Sequence, residues 1–171
     1  MRAPDLPIER AWETLIDNVG YAADLLAPAQ GVLVLEPINA FDMPEFFLHT
    51  VDEVMHVVQA SGRSNVRLQY DMYHQQRTQG EPIGTFQRWQ PWIGHIQIAD
   101  NPGRHQPGTG EICYANVWKA LEEAQYQGAV GLEYDPVGEE ESSLRWRPQC
   151  VSETSPERLR IGRSEDGGHS G

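Results

Sequence analysis

The chain has 171 residues, enough for one domain with a buried core, and its 39% hydrophobic and 9% aromatic content excludes disorder throughout. Acids outnumber bases by 25 to 13, a net charge of −12, which argues against nucleic acid or an anionic membrane surface as partner. No apolar run approaches the ~18–20 residues of a membrane span, and MRAPDLPIERAWETL lacks the charged-then-apolar pattern of a signal peptide.

In chain order, Ile8, Trp12, Leu15, Ile16, Val19, Ala23 and Leu26 recur at helical spacing, and Pro28 with Gly31 breaks the pattern. The continuous run Val32 to Leu35 reads as a strand buried on both faces, as in a parallel sheet. A helix is expected from Thr50 to Ala60, stopped by Ser61-Gly62, and a strand from Val66 to Asp71. A polar stretch with Gly80 and Gly84 leads into a helix through Phe86, Trp89 and Trp92. Gly94 to Ala99 is expected as a strand, Asp100 to Gly110 as a long loop, Asn116 to Gln125 as a helix and Ala129 to Glu133 as a strand. A short helix through Leu144 and Trp146 follows, and residues 148–171, with almost nothing to bury, are expected as a disordered tail. The alternation of helix and strand with short links predicts parallel βα units over 1–147, an α/β fold. Cys113 and Cys150 are too few and too far apart for a disulfide framework or a zinc cluster, which suits reduced thiols in a cytoplasmic protein.

The polar residues at the strand ends form a set: Glu36 in VLVLEP, Asp71 in VRLQYD, Gln97 in GHIQIA and Glu133 in VGLEYDP. Ligands of parallel α/β folds bind at the carboxyl edge of the sheet. Singly, a strand-end acid is more often a loop cap or surface group than a ligand. Together, three carboxylates and an amide oxygen offer hard donors that favour Mg²⁺ or Mn²⁺ over zinc or copper, and without a cation they would repel one another. His74 follows Asp71 by three residues and reads either as a solvated loop histidine or as a group that hydrogen-bonds or relays protons to substrate. Arg104, in the loop after the third strand, reads either as a surface residue or as a guanidinium that grips a substrate carboxylate. Glu111, in PGTGEICY, is a candidate for orienting that loop.

With these motifs in place, LEPIN, QYDMYH, HIQIADNPGRHQPGTGEICY and GLEYDP resemble the hydroxypyruvate isomerase family, whose members are xylose-isomerase-like sugar isomerases and epimerases on a TIM barrel. The resemblance spans residues 8–146, and the intervals 36→71→97→133 are similar to those of the family. It implies that Glu36, Asp71, Gln97 and Glu133 are metal ligands, that Glu36 and Glu133 are the catalytic pair, and that His74 and Arg104 contact substrate. The implied chemistry interconverts hydroxypyruvate and tartronate semialdehyde through an enediol, with a small hydroxy-oxo acid as partner.

A full (β/α)₈ barrel needs about 250 residues, so the expected architecture is an incomplete TIM barrel of four C-terminal βα units. Such an open half-barrel is expected to expose two sheet edges and an apolar interior face, a liability for association through which a homo-oligomer could in principle close the barrel. Alternative readings are an isomerase of 2-oxo-tetronate, a 3-dehydroshikimate-dehydratase-like lyase, and a cation-binding fragment without turnover.

Overall fold

The computed structural model describes residues 7–146 and the backbone of residues 161–163. Helix α1 (Ile8–Leu26) buries Ala11, Val19 and Ala23 and ends in a single 3-10 turn, Ala27–Ala29, where Pro28 removes a donor. Strand β1 (Leu33–Leu35) follows, then helix α2 (Val51–Ser61). Thr50 caps α2: its hydroxyl accepts from the Glu53 main-chain N–H at 3.2 Å, and the Glu53 carboxylate accepts from Thr50 N–H at 2.9 Å. Gly62, at φ +65°, closes that helix in the left-handed region.

Strand β2 (Val66–Asp71) runs directly into helix α3 (Met72–Thr78), and helix α4 (Pro82–Trp89) leads to strand β3 (Ile93–Ile98). Helix α5 (Tyr114–Glu123), strand β4 (Val130–Leu132) and helix α6 (Glu140–Ser143) complete the continuous part. The expected polar stretch after Asp71 is therefore corrected to a helix. The Asp71 side chain starts it by accepting the Tyr73 main-chain N–H at 2.7 Å, and four consecutive residues, Met72 to Gln75, are buried. Too short to show apolar periodicity, this helix is defined by its cap.

The strands form one parallel sheet in the order β1-β2-β3-β4, with Ile161–Arg163 (β5) added beside β4. This fifth strand falls in the segment expected as a tail and pairs with the outer backbone edge of β4; the rest of 148–171 lies outside the described residues, Cys150 included. The register slips once: Leu68 faces Ile93 but Gln69 faces His95, leaving Gly94 as the extra residue of a bulge. Only glycine fits there, because a Cβ would lie 2.8 Å from Arg67 Cβ and 3.0 Å from Val34 Cγ1.

The two sheet faces divide cleanly. Leu35, Val66, Leu68, Tyr70, Ile96, Ile98, Val130 and Leu132 point toward the helices and join Val54, Val58, Phe86, Val117 and Leu121 in the core. The opposite, concave face carries Glu36, Gln69, Asp71, His95 and Gln97. Two expectations are corrected here. The interior face is polar, because the inward positions of β2 and β3 hold hydrogen-bonding residues. Strand β1 is half-buried along its length, because among the described residues it pairs on one side only.

Candidate active site

The carboxyl ends of β1, β2 and β4 bring Glu36, Asp71 and Glu133 together. With His74 from the first turn of α3, each offers a ligand atom within 4.8 Å of the others. Parallel pairing is what aligns them: residues one step past β1 and β4 and at the end of β2 come level when neighbouring strands run the same way. Asp71 and Gln97 are register partners, so Gln97 stands in the same wall. Its amide has a partner that the sequence reading did not supply. Gln69, two residues before Asp71 and hence on the same face, donates to Gln97 Oε1 and, at 2.7 Å, to Glu36 Oε2.

The electrostatics of the cluster follow from burial. Glu36 is pushed up to about 7, first by burial and then by the Glu133 carboxylate; the Gln69 hydrogen bond and the Arg104 charge act against this. Asp71 is driven well above the usual carboxylate range by burial, then by Glu36 and Glu133. His74, 2% exposed, is lowered to about 4, first by burial and then by Arg104. Glu36 Oε1, Asp71 Oδ2 and His74 Nε2 are buried with no hydrogen-bond partner among the described residues. His74 Nε2 lies 3.9 Å from each of those two carboxylate oxygens. Buried, unsatisfied, like-charged oxygens at this spacing fit a divalent cation, which would satisfy and neutralise them together.

Arg104 is placed by the loop after β3. Asp100, fully buried, gathers that loop by accepting the main-chain N–H groups of Asn101 (2.9 Å), Gly108 (2.8 Å), Gly110 (2.9 Å) and Ile112 (3.0 Å). Glu111 helps orient it, accepting from Asn101 Nδ2 at 2.5 Å and from Gln76 at 3.2 Å. Arg104 itself sits at φ +56°, a backbone conformation that costs a non-glycine residue about 1 kcal/mol or more. Its guanidinium lies over the Tyr73 ring at 5.5 Å and pairs with Glu133 Oε2 at 2.7 Å. Asp100 carried a legible signal as an acid heading a Pro/Gly-rich loop. Asn39, whose N–H groups meet His74 Nδ1, carried none. A cleft of about 260 Å³ between α2 and α4, lined by Asp52, Gln75, Glu81, Thr85 and Arg88, shares none of these site residues.

A family model described as "Xylose isomerase-like TIM barrel" matches residues 2–150. Hydroxypyruvate isomerase of Escherichia coli (strain K12) is 44% identical over 138 residues, covering 81% of this chain and 54% of that protein. The 2-oxo-tetronate isomerase of Cupriavidus necator is 38% identical over 138 residues, covering 80% and 53%. A crystal structure described as an AP endonuclease, family 2, from Brucella melitensis superposes with a TM-score of 0.81 at 38% identity, over 84% of this chain and 55% of that one. The chain thus spans about half the length of the curated relatives it matches. The apo 3-keto-D-glucoside 4-epimerase of Escherichia coli, at 23% identity and a TM-score of 0.74, over 85% of this chain and 56% of that one, shares the fold. The incomplete-barrel architecture expected above is borne out, and the chain belongs to the xylose isomerase-like TIM-barrel family, with hydroxypyruvate isomerases among its relatives.

Proposed function

We propose that this chain carries the catalytic wall of a hydroxypyruvate isomerase, interconverting hydroxypyruvate and tartronate semialdehyde. The observation that carries the reading is the convergence of Glu36, Asp71, His74 and Glu133 on one volume, with Arg104 paired to Glu133 beside it. Similarity to an isomerase of that name over 81% of the chain supports it.

Glu36, Asp71 and Glu133, with the Gln97 amide oxygen, would hold a Mg²⁺ or Mn²⁺ ion, since all four donors are hard oxygens. When bound, the cation supplies Lewis-acid polarisation of the substrate's neighbouring carbonyl and hydroxyl oxygens. Glu36 and Glu133 stand one residue past the carboxyl ends of β1 and β4, separated by two strands, and so can face substrate from two sides. One takes the proton from the hydroxymethyl carbon to give the enediolate, the other returns a proton to the adjacent carbon, and the proton of the hydroxymethyl oxygen passes to the former carbonyl oxygen, which leaves an aldehyde at one carbon and a hydroxyl at the other. Arg104 balances the charge of the cluster and of the substrate carboxylate. Gln69 holds Glu36 and Gln97 in place from below.

The test is turnover of hydroxypyruvate by the purified chain with Mg²⁺ or Mn²⁺, in parallel with Glu36→Gln and Glu133→Gln. Each variant should abolish turnover. Near-parental activity in either removes that glutamate from the mechanism. A chain whose unfolding midpoint rises with the cation, yet which converts no substrate, overturns the enzyme reading in favour of a cation-binding scaffold. The relative from Cupriavidus necator supports 2-oxo-tetronate as the second substrate to assay; a higher kcat/KM on it would reassign the substrate and keep the chemistry.

A further inference from the structure

Burial among carboxylates explains one edge of the His74 ring; the other edge is closed by donors alone. The Asn39 main-chain N–H donates to His74 Nδ1 at 3.3 Å, and the Asn39 side-chain amide donates to the same nitrogen at 2.7 Å. The amide cannot turn around. Its Oδ1 accepts the Asp42 main-chain N–H at 2.9 Å while its Nδ2 donates to Asp42 Oδ2 at 2.8 Å, so reversal would set oxygen against carboxylate and N–H against N–H. Asp42 is held in turn from α3, accepting the Tyr73 hydroxyl at 2.6 Å and pairing with Arg77 Nε at 3.2 Å. Asn39 is fully buried, so water does not compete for these groups. A ring nitrogen facing two N–H donors is an acceptor, and the ring proton must then sit on the other nitrogen.

We infer that Asn39 is a positioning residue: with both its N–H groups it fixes His74 in the Nε2–H form, so that His74 enters the carboxylate cluster as a hydrogen-bond donor and not as a cation ligand. Nε2 carrying a proton has no lone pair to give a metal. The cation then rests on oxygen donors alone. The Nε2–H, aimed into the cluster, is free to donate to a substrate oxygen that gains negative charge as the carbon-bound proton leaves. The target oxygen rests on the isomerase reading; the tautomer does not.

The direct test is a two-bond ¹H–¹⁵N correlation spectrum of the chain labelled with ¹⁵N-histidine, recorded in chelator and then in excess Mg²⁺. The His74 signals are picked out among those of the six histidines by their loss in His74→Gln. The expected pattern is Nε2–H in both conditions. An Nδ1–H pattern, or loss of the Nε2 proton on adding Mg²⁺, overturns the inference. In Asn39→Ala, which keeps the main-chain donor and removes the side-chain amide, the Nδ1–H form should appear beside Nε2–H, and a spectrum identical to the parent's removes the Asn39 side chain from the role. Asn39→Ser serves the same comparison if the alanine variant does not fold. Absence of isomerase turnover leaves these spectra unchanged, so failure of the proposed activity and failure of this inference are told apart.

Discussion

Arg104 Nη2 lies 2.7 Å from Glu133 Oε2, so the guanidinium is committed to a carboxylate of the chain before any substrate arrives. Burial alone disfavours its charge, yet Glu133, Asp71 and Glu36 together hold it above its usual pKa. It acts as an internal counter-ion to an overcharged site, and its place over Tyr73 fixes its angle.

Two opposite effects are expected of Arg104→Gln. At pH 8, removing a positive charge from beside the three carboxyl groups should tighten Mn²⁺ binding several-fold. Turnover of hydroxypyruvate should fall about 100-fold, the usual cost of losing one aligned charged donor. Titration calorimetry and an initial-rate assay read the two separately. Weaker Mn²⁺ binding in the variant would mean that Arg104 builds the site and does not merely balance it.

Glu36 predicts a pH dependence. Its pKa, about 7 in the fold against an ordinary 4.5, means that between those values the folded chain keeps a proton that the unfolded chain loses. Stability in chelator therefore falls as pH rises through that window, by about 3 kcal/mol from this group. His74 works the other way, since its pKa near 4 makes stability rise with pH up to its ordinary value of 6.5. Comparing the parent with Glu36→Gln isolates the first effect. In chelator the variant should be the more stable at pH 8, with the gap closing toward pH 4.5. In excess Mg²⁺ the order should invert, because the parent gains more from the cation. A gap independent of pH in thermal melts would show that Glu36 is not held protonated.

The strand-end residues were legible because each closes a short apolar run: Glu36 after Val32 to Leu35, Asp71 after Leu68 and Tyr70, Glu133 after Leu132. Gln97 was legible as an amide set inside the apolar strand Gly94 to Ala99, where an unpartnered polar group would be costly. Helix α3 was not legible, since its signal is one capping hydrogen bond from Asp71 in place of an apolar stripe. Asn39, Gln69 and Asp42 act through partners 28 to 35 residues away in sequence, and no local pattern encodes such pairings. The polarity of the concave face was missed for a related reason. The apolar residues of β2 and β3 belong to the helix side, and the polar residues between them are satisfied by one another across the strands.

Asp100→Asn should loosen the loop that carries Arg104. A carboxylate accepts four main-chain N–H groups here, whereas a carboxamide has one oxygen and turns an NH₂ group toward donors. The expected loss is about 2–4 kcal/mol, a fall of roughly 5–15 °C in midpoint. Turnover should drop with it, because the Arg104 main-chain N–H donates to the Asp100 carbonyl at 3.0 Å and moves with the loop. A variant with the parental midpoint would show that the loop is held by its other contacts.

Two glycines give a paired test of the same loop against a control. A Cβ on Gly110 would sit 2.2 Å from the Asn101 carbonyl oxygen and 2.7 Å from Asp100 Oδ1. Neither atom can yield without opening the hydrogen bonds around Asp100, so Gly110→Ala should cost about 1–3 kcal/mol. Gly84 lies inside α4 with nothing within 4 Å of its added Cβ. Gly84→Ala should therefore stabilise the chain by about 0.5–1 kcal/mol, since alanine loses less backbone entropy in a helix. Denaturant melts of the two variants beside the parent check both signs at once. If Gly110→Ala matches the parent while Gly84→Ala gains, the loop is looser than its hydrogen bonds imply, and the commitment of Arg104 to Glu133 must come from the guanidinium pair itself.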